Sequence, residues 1–262
     1  QNSPSCRKSA VSESFAPFNE ARMIGDVVAA ALQIADEVIV IDSGSTDATV
    51  ALATDAGARV IHQDWLGNGK QKRFAEDRCR HDWLLDLDAD EVVTPELAAE
   101  IRALFSKGEP SCRVYRTPVA IAPPVGKPWL GFGGVIRCKL YDRRALRAPD
   151  HAAWDQFDIP AGMKTGALSS PILHYAFSDT AHLIDKLNRN SSTRARELTP
   201  KPMPVLVARI FFGLPFYVAK RYLLDGLFRG GVYGFAFSVM SGFGRWMRDV
   251  KMYERRRREG GE

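Results

Sequence analysis

The chain has 262 residues, 45% hydrophobic and 26% charged, a length and balance that supply a buried core and exclude a disordered chain, a collagen and a polytopic membrane protein. Cysteines at 6, 79, 112 and 138 form no CxxC pair, which points to reduced thiols rather than a disulfide framework or a zinc site. The net charge of +5 lies wholly in the tail: residues 201–262 hold 12 Lys/Arg against 5 Asp/Glu, whereas residues 1–200 hold 24 against 26.

From residue 21 to about 106, helix-like and strand-like segments alternate, the pattern of a mostly parallel sheet covered by helices. Ala21–Gln33 carries Ile24, Val27, Val28, Ala31 and Leu32 at helical spacing, and Glu37–Ile41 is a short apolar strand with Asp42 at its carboxyl end. Ser45 or Thr46 is placed to cap a helix to Ala56, Gly57 ends it, and Ala58–His62 is the next strand. Asn68–Cys79 is predicted helical, Trp83–Leu87 a strand, and Thr94-Pro95 opens a helix through Phe105. Short strands follow around Arg113–Ile121 and Arg137–Asp142, separated by a Pro- and Gly-rich loop. Ser178–Leu198 is a polar helix, and Thr199-Pro-Lys-Pro-Met-Pro204 is a linker that places a domain boundary near 200. No secretory signal peptide is expected in the opening residues.

Beyond that linker, large apolar residues and cations are interleaved. The longest apolar runs, Ile210–Ala219 and Val232–Met240, fall short of the ~20 residues of a spanning helix. The composition predicts amphipathic helices on an anionic membrane surface, with cations snorkelling outward. The closing Arg255–Arg258 run is a solvated helix end or a lipid-headgroup contact. Nucleic acid is not expected as a partner.

The chemistry is concentrated at strand ends, where ligands of open α/β sheets bind. Trp83-Leu-Leu-Asp-Leu-Asp-Ala-Asp-Glu91 runs an apolar strand into four carboxylates. Strand alternation would put Asp86, Asp88 and Asp90 on one side, and a divalent cation would relieve their repulsion. Mg²⁺ or Mn²⁺ suits such oxygen ligands together with substrate phosphates. Asp42-Ser-Gly-Ser-Thr-Asp47 is either a turn and helix cap, or a wall where Asp42 accepts from a base or ribose while the following amides favour an anion. Asn19-Glu20 would form a third wall. Asp88-Ala-Asp-Glu-Val92 also satisfies the DxDxV of aspartate-nucleophile phosphatases, though neither its usual place on a first strand nor a late acidic partner is found. A non-catalytic membrane-surface binder is a third possibility.

Phe18-Asn-Glu20, Val40-Ile-Asp-Ser-Gly-Ser-Thr-Asp47, Gln71-Lys72 and Leu87-Asp-Ala-Asp-Glu91, in this order and spacing, resemble the GT-A family 2 glycosyltransferases. Gly69-Lys-Gln-Lys-Arg-Phe-Ala75, Leu173-His-Tyr175 and Asp185-Lys-Leu-Asn188 narrow the resemblance to the bacterial lipopolysaccharide core β-glucosyltransferase branch. The resemblance implies a GT-A domain over 1–200 and a membrane-associating helical tail over 201–262. Asn19, Glu20 and Asp42 would line the nucleotide pocket, Lys72 would lie near the base or diphosphate, and Asp88 and Asp90 would hold Mg²⁺ or Mn²⁺ and the sugar nucleotide, expected to be a UDP-sugar. The implied reaction is inverting transfer of a hexose, expected to be glucose, to a lipid-linked glycan such as the lipopolysaccharide core, or to a polyprenyl phosphate. It would occur at the cytoplasmic face of the bacterial inner membrane, on a peripheral or monotopic enzyme. The branch's Val-His-Asp/Glu pattern aligns with Ala153-Trp154-Asp155, so Asp155 would be the base, with Asp150 and Asp158 as rivals. Trp154 stands where His is usual, and Trp129, Phe132 and Trp154 could offer aromatic faces to a sugar. His174 reads as supporting the acidic site from behind rather than as a ligand, the alternative being that it completes a metal site beside Asp88 and Asp90. The opening strand departs from the family in being polar and containing Pro17, which suggests an edge strand or a displaced register.

Overall fold

A computed structural model describes residues 9–14, 20–152, 154–199 and 201–259. The chain divides into two compact units, 1–120 with 135–175, and 121–134 with 176–262. This division differs from the boundary expected near 200: the polar helix before the linker belongs with the tail, because its apolar stripe packs there.

The first unit is a sheet flanked by helices. Strand β1 (Ser9–Ser14) leads by way of α1 (Ile24–Ala31) to β2 (Ala35–Asp42), and α2 (Thr49–Asp55) leads to β3 (Arg59–His62). Helix α3 (Asn68–Glu76) precedes β4 (Trp83–Leu87), and β5 (Glu91–Val93) precedes α4 (Pro95–Phe105). Strands β6 (Val114–Ile121), β7 (Val135–Asp142), β8 (Thr165–Ala167) and β9 (Ile172–His174) complete the sheet. The strand order is β3-β2-β1-β4-β7-β6-β9-β5, with β8 on β6. The first four strands are parallel, and β7 and β6 extend them antiparallel. Because β1 lies between β2 and β4, the chain switches sides there, and the carboxyl ends of β2 and β4 flank the exit of β1. The polar opening strand is therefore central rather than an edge, and Pro17 lies outside the described residues.

Strand alternation separates two cores. Val38, Val40, Leu85 and Leu87 pack with Ile24 and Val28 of α1 and Leu97 and Ile101 of α4. Ile39, Ile41 and Leu84 pack with Ala75 and Cys79 of the α3 side. Thr94 caps α4 as its sequence implies, accepting from the Leu97 amide at 3.2 Å. Helix α2 begins later than expected, at Thr49, because Asp47 takes the Thr49 amide (3.0 Å) and hydroxyl (2.5 Å) and keeps the preceding residues out of the helix.

The second unit is helical. It contains α5 (Thr180–Glu197), α6 (Met203–Ala219), a π-turn at Lys220–Leu224, a 3-10 turn at Leu227–Gly230 and α7 (Gly231–Glu259). Trp129, Phe177, Leu183, Leu227 and Phe237 form its core, so Trp129 is a packing residue and not a free sugar platform. The first of the apolar runs that look too short in sequence, Ile210–Ala219, lies within a longer helical stretch, Met203–Leu224, whose 22 residues and mean hydropathy of 1.4 suffice by length and composition to cross a bilayer, while Val232–Met240 belongs to α7. Arg209 within this stretch is tied to the buried Asp249 at 3.0 Å. Asp249 also accepts from the Tyr217 hydroxyl at 2.8 Å.

Candidate functional site

Asp86 shares the phase of Leu84 and therefore emerges on the α3 side of β4. There it meets Lys72, one turn before Ala75 on the inward stripe of α3. Lys72 Nζ lies 2.7 Å from Asp86 Oδ2, 3.3 Å from Asp88 Oδ1 and 3.5 Å from Asp155 Oδ2. Lys72 is thus not part of a solvated helix face: it is buried and joins three carboxylates from two segments far apart in sequence. Burial works against its ammonium charge, but Asp86, Asp88 and Asp155 outweigh it and hold the group well above the ordinary lysine range.

Asp155 reaches this place because its loop lies against the start of α3. The amides of Asn68 and Gly69 donate to the carbonyls of Ala152 (2.6 Å) and His151 (3.0 Å). A Cβ on Gly69 would come within 2.4 Å of the carbonyl oxygens of Pro149 and Trp154, so only glycine permits this approach. Asp155 is half-buried, whereas its rivals Asp150 and Asp158 are exposed. Trp154 is 53% exposed beside it.

After Leu87 the strand ends in a turn. The Glu91 amide donates to the Asp88 carbonyl at 2.7 Å, and Glu91 Oε2 accepts the Asp88 amide at 3.0 Å. Asp86, Asp88 and Asp90 consequently do not crowd along one strand face as alternation predicts: Asp90 takes a partner of its own, His174 Nε2 at 3.2 Å. Lys139 of β7 lies 2.5 Å from Glu91 Oε2 and 4.0 Å from Asp88 Oδ2. Burial opposes ionisation of Asp88, yet Lys139 and Lys72, with His174, hold its carboxyl below the usual range. Burial also opposes the His174 imidazolium, and Asp90 outweighs it, raising that group above an ordinary histidine. For Asp86 and Glu91 burial wins over the lysines, and both carboxyls are raised.

Around this turn five acidic side chains (Asp86, Asp88, Asp90, Glu91, Asp155) face three basic ones (Lys72, Lys139, His174), a surplus of two acidic groups. An all-oxygen donor set with that surplus fits a divalent hard cation. Among the described residues no three His, Cys, Asp or Glu side chains form a closed metal cage, so the cation would need oxygens from a ligand as well.

Asp42, at the end of β2, accepts from the amides of Gly44 (2.9 Å) and Ser45 (3.2 Å) and lies 3.8 Å from His62 Nδ1. Of the two readings of this segment, these bonds are those of the turn, since the segment's own carboxylate takes those amides. Glu20 is fixed beside the same segment, its amide donating to Thr49 Oγ1 at 3.0 Å. Asn19 lies outside the described residues. Lys139 is the participant absent from the sequence motifs, whereas Glu91 and Gln71 stand in those motifs without an assigned role. Gln71 is fully buried and bonds Ser43 Oγ at 3.0 Å, linking α3 to the Asp42 turn. Sequence carries no signal that singles out Lys139, because Arg137 shares its strand phase yet is exposed while Lys139 is buried.

Residues 17–169 match the family described as Glycosyl transferase family 2. An uncharacterized glycosyltransferase of Rickettsia felis is 31% identical over 246 residues, covering 90% of this chain and 87% of its own. The lipopolysaccharide core biosynthesis glycosyltransferase LpsC of Rhizobium meliloti is 26% identical over 254 residues, covering 91% and 90%. Among solved structures, glucosyl-3-phosphoglycerate synthase from Mycobacterium tuberculosis, in complex with Mg²⁺ and uridine diphosphate, is similar at 24% identity and a TM-score of 0.34; the likeness spans 45% of this chain and 44% of that one.

Proposed function

The chain belongs to glycosyltransferase family 2 and has the GT-A fold, and on that premise we propose that it transfers a hexose, taken to be glucose, from a UDP-sugar to a lipid-linked glycan of the lipopolysaccharide core type. The observation that carries the reading is the convergence of Asp86, Asp88 and Asp155 on the buried Lys72 at the carboxyl end of β4. The likeness to LpsC supports the acceptor class. Family membership takes the place of the phosphatase and binder alternatives.

Asp88 and Asp90 would hold Mg²⁺ or Mn²⁺, which when bound offsets charge on the leaving diphosphate. Glu20 and Asp42, with Asn19, would line the nucleotide pocket, and Lys72 would add a fixed positive charge beside the diphosphate. Asp155 would accept the proton of the attacking acceptor hydroxyl. The acceptor oxygen then bonds the anomeric carbon as the bond from that carbon to the diphosphate oxygen breaks on the opposite face, which inverts the configuration. The two faces of the reaction are served by separate segments, the 88–91 turn for the donor and the 149–155 loop for the acceptor.

The exposed apolar side chains of α6 and the cations of the tail support a peripheral or monotopic place on an anionic membrane, at the cytoplasmic face of the bacterial inner membrane. Incubation of the purified chain with a panel of UDP-, GDP- and dTDP-hexoses and Mn²⁺, with and without lipid-linked core acceptor, tests the reading. Release of UDP from UDP-glucose, accelerated by acceptor, is expected. Inertness towards every sugar nucleotide in the presence of acceptor would reject it.

A further inference from the structure

The last turns of α5 and α7 enclose a cleft of about 520 Å³ lined by Ser192, Arg196, Lys251, Arg255, Arg258 and two glutamates, Glu254 and Glu259. Four cations against two carboxylates give it a net positive charge. Two of its cations are held rigidly. Lys251 Nζ lies within 2.7–3.0 Å of four oxygens from Asn188, Ser191 and Ser192. Arg255 donates to the carbonyls of Ala195 and Arg196 at 2.9 and 2.6 Å and to Glu259 at 2.9 Å. The carbonyls ending α5 would repel an anion, and Arg255 has already taken up two of them. The remaining guanidinium groups, Arg196 and Arg258, are exposed and make no hydrogen bond or ion pair among the described residues. Their forked donors match the oxygens of a phosphate.

We propose that this cleft binds a phosphate ester, with Arg196 and Arg258 as the direct ligands and Lys251 and Arg255 as the fixed positive floor. Of the two sources of such a group, an anionic lipid headgroup or a soluble phosphate, the first rests on the membrane reading above and the second does not. The cleft also gives the Arg255–Arg258 run a use beyond solvation of a helix end.

The test compares the full chain with Arg196→Gln/Arg258→Gln in two assays: calorimetric titration with inorganic phosphate, and flotation with phosphatidylcholine vesicles containing phosphatidic acid. UDP release without membranes should be equal in both proteins and shows that the variant is folded. The double substitution should weaken binding in at least one assay by about tenfold or more, the loss expected for charged hydrogen bonds. A loss confined to vesicles identifies a lipid headgroup. A loss seen with phosphate, while the native chain never floats, identifies a soluble ester and removes the membrane reading without touching the cleft. Native-like binding of the variant in both assays, or no binding of either probe by the native chain, overturns the proposal.

Discussion

The site depends at the residue scale on one buried cation. Lys72→Met would leave Asp86 buried without its ammonium partner, and loss of one member of such a pair costs about 3–5 kcal/mol. Urea denaturation should show a drop of that order, and unchanged stability would mean that Lys72 is not the partner of Asp86. Asp155 is expected to behave differently, since it is half-buried and at the rim. Asp155→Asn should lower kcat by about 10²–10⁴ while calorimetric affinity for UDP with Mn²⁺ stays close to that of the native chain. Lost UDP affinity would move Asp155 into the donor site, and full activity would return the role of base to Asp150 or Asp158.

Elements set where these residues stand, and the close contact of α3 with the 149–155 loop is the most specific case. Gly69→Ala should displace that loop, because its Cβ overlaps two carbonyl oxygens, and transfer should fall more steeply than UDP binding. Equal loss of both would mean that the loop does not serve the acceptor alone. At the start of β2, Glu37 is buried and bonded to Arg59 (3.0 Å) and Arg80 (3.0 Å). Burial disfavours its charge, but the Arg80 and Arg59 hydrogen bonds prevail and lower its pKa. A carboxyl lowered in the folded state stabilises fully above its unfolded pKa of about 4.3 and loses that contribution as pH falls through the folded value. Glu37→Gln should therefore lower the melting temperature near neutral pH, with the gap closing in acid. A gap that stays constant on acidification would contradict this assignment.

The elements also show what sequence could reveal. The sheet was legible because EVIVI and WLLDL are apolar runs ending in carboxylates, and Thr94-Pro95 is an unambiguous helix start. Helix α3 was legible as a helix, but its inward stripe is Gln71, Lys72, Ala75 and Glu76, so an apolar moment could not show which side is buried. Lys139 and its pairing with Glu91 are not legible because the pairing crosses 48 positions and depends on β7 lying beside β4. The turn at 88–91 escaped because strand alternation was carried past the strand's last residue, Leu87.

At the scale of the whole molecule, the second unit carries Phe211, Phe212 and Phe216 at 64–75% exposure, each able to contribute roughly 1.5–3 kcal/mol on leaving water. The chain should float with vesicles containing anionic lipid, less so at high salt, and Phe211→Ser/Phe212→Ser/Phe216→Ser should abolish flotation while leaving UDP binding intact. Native protein that remains unbound at low salt would leave these residues without a membrane role.

Hexose transfer at the acidic turn is tested most directly by turnover of UDP-glucose by Asp90→Asn with Mn²⁺ and acceptor. An amide can still accept from His174 but cannot supply the anionic oxygen, so turnover should fall at least about 100-fold with a melting temperature close to that of the native chain. Near-native turnover by the folded variant would contradict the account.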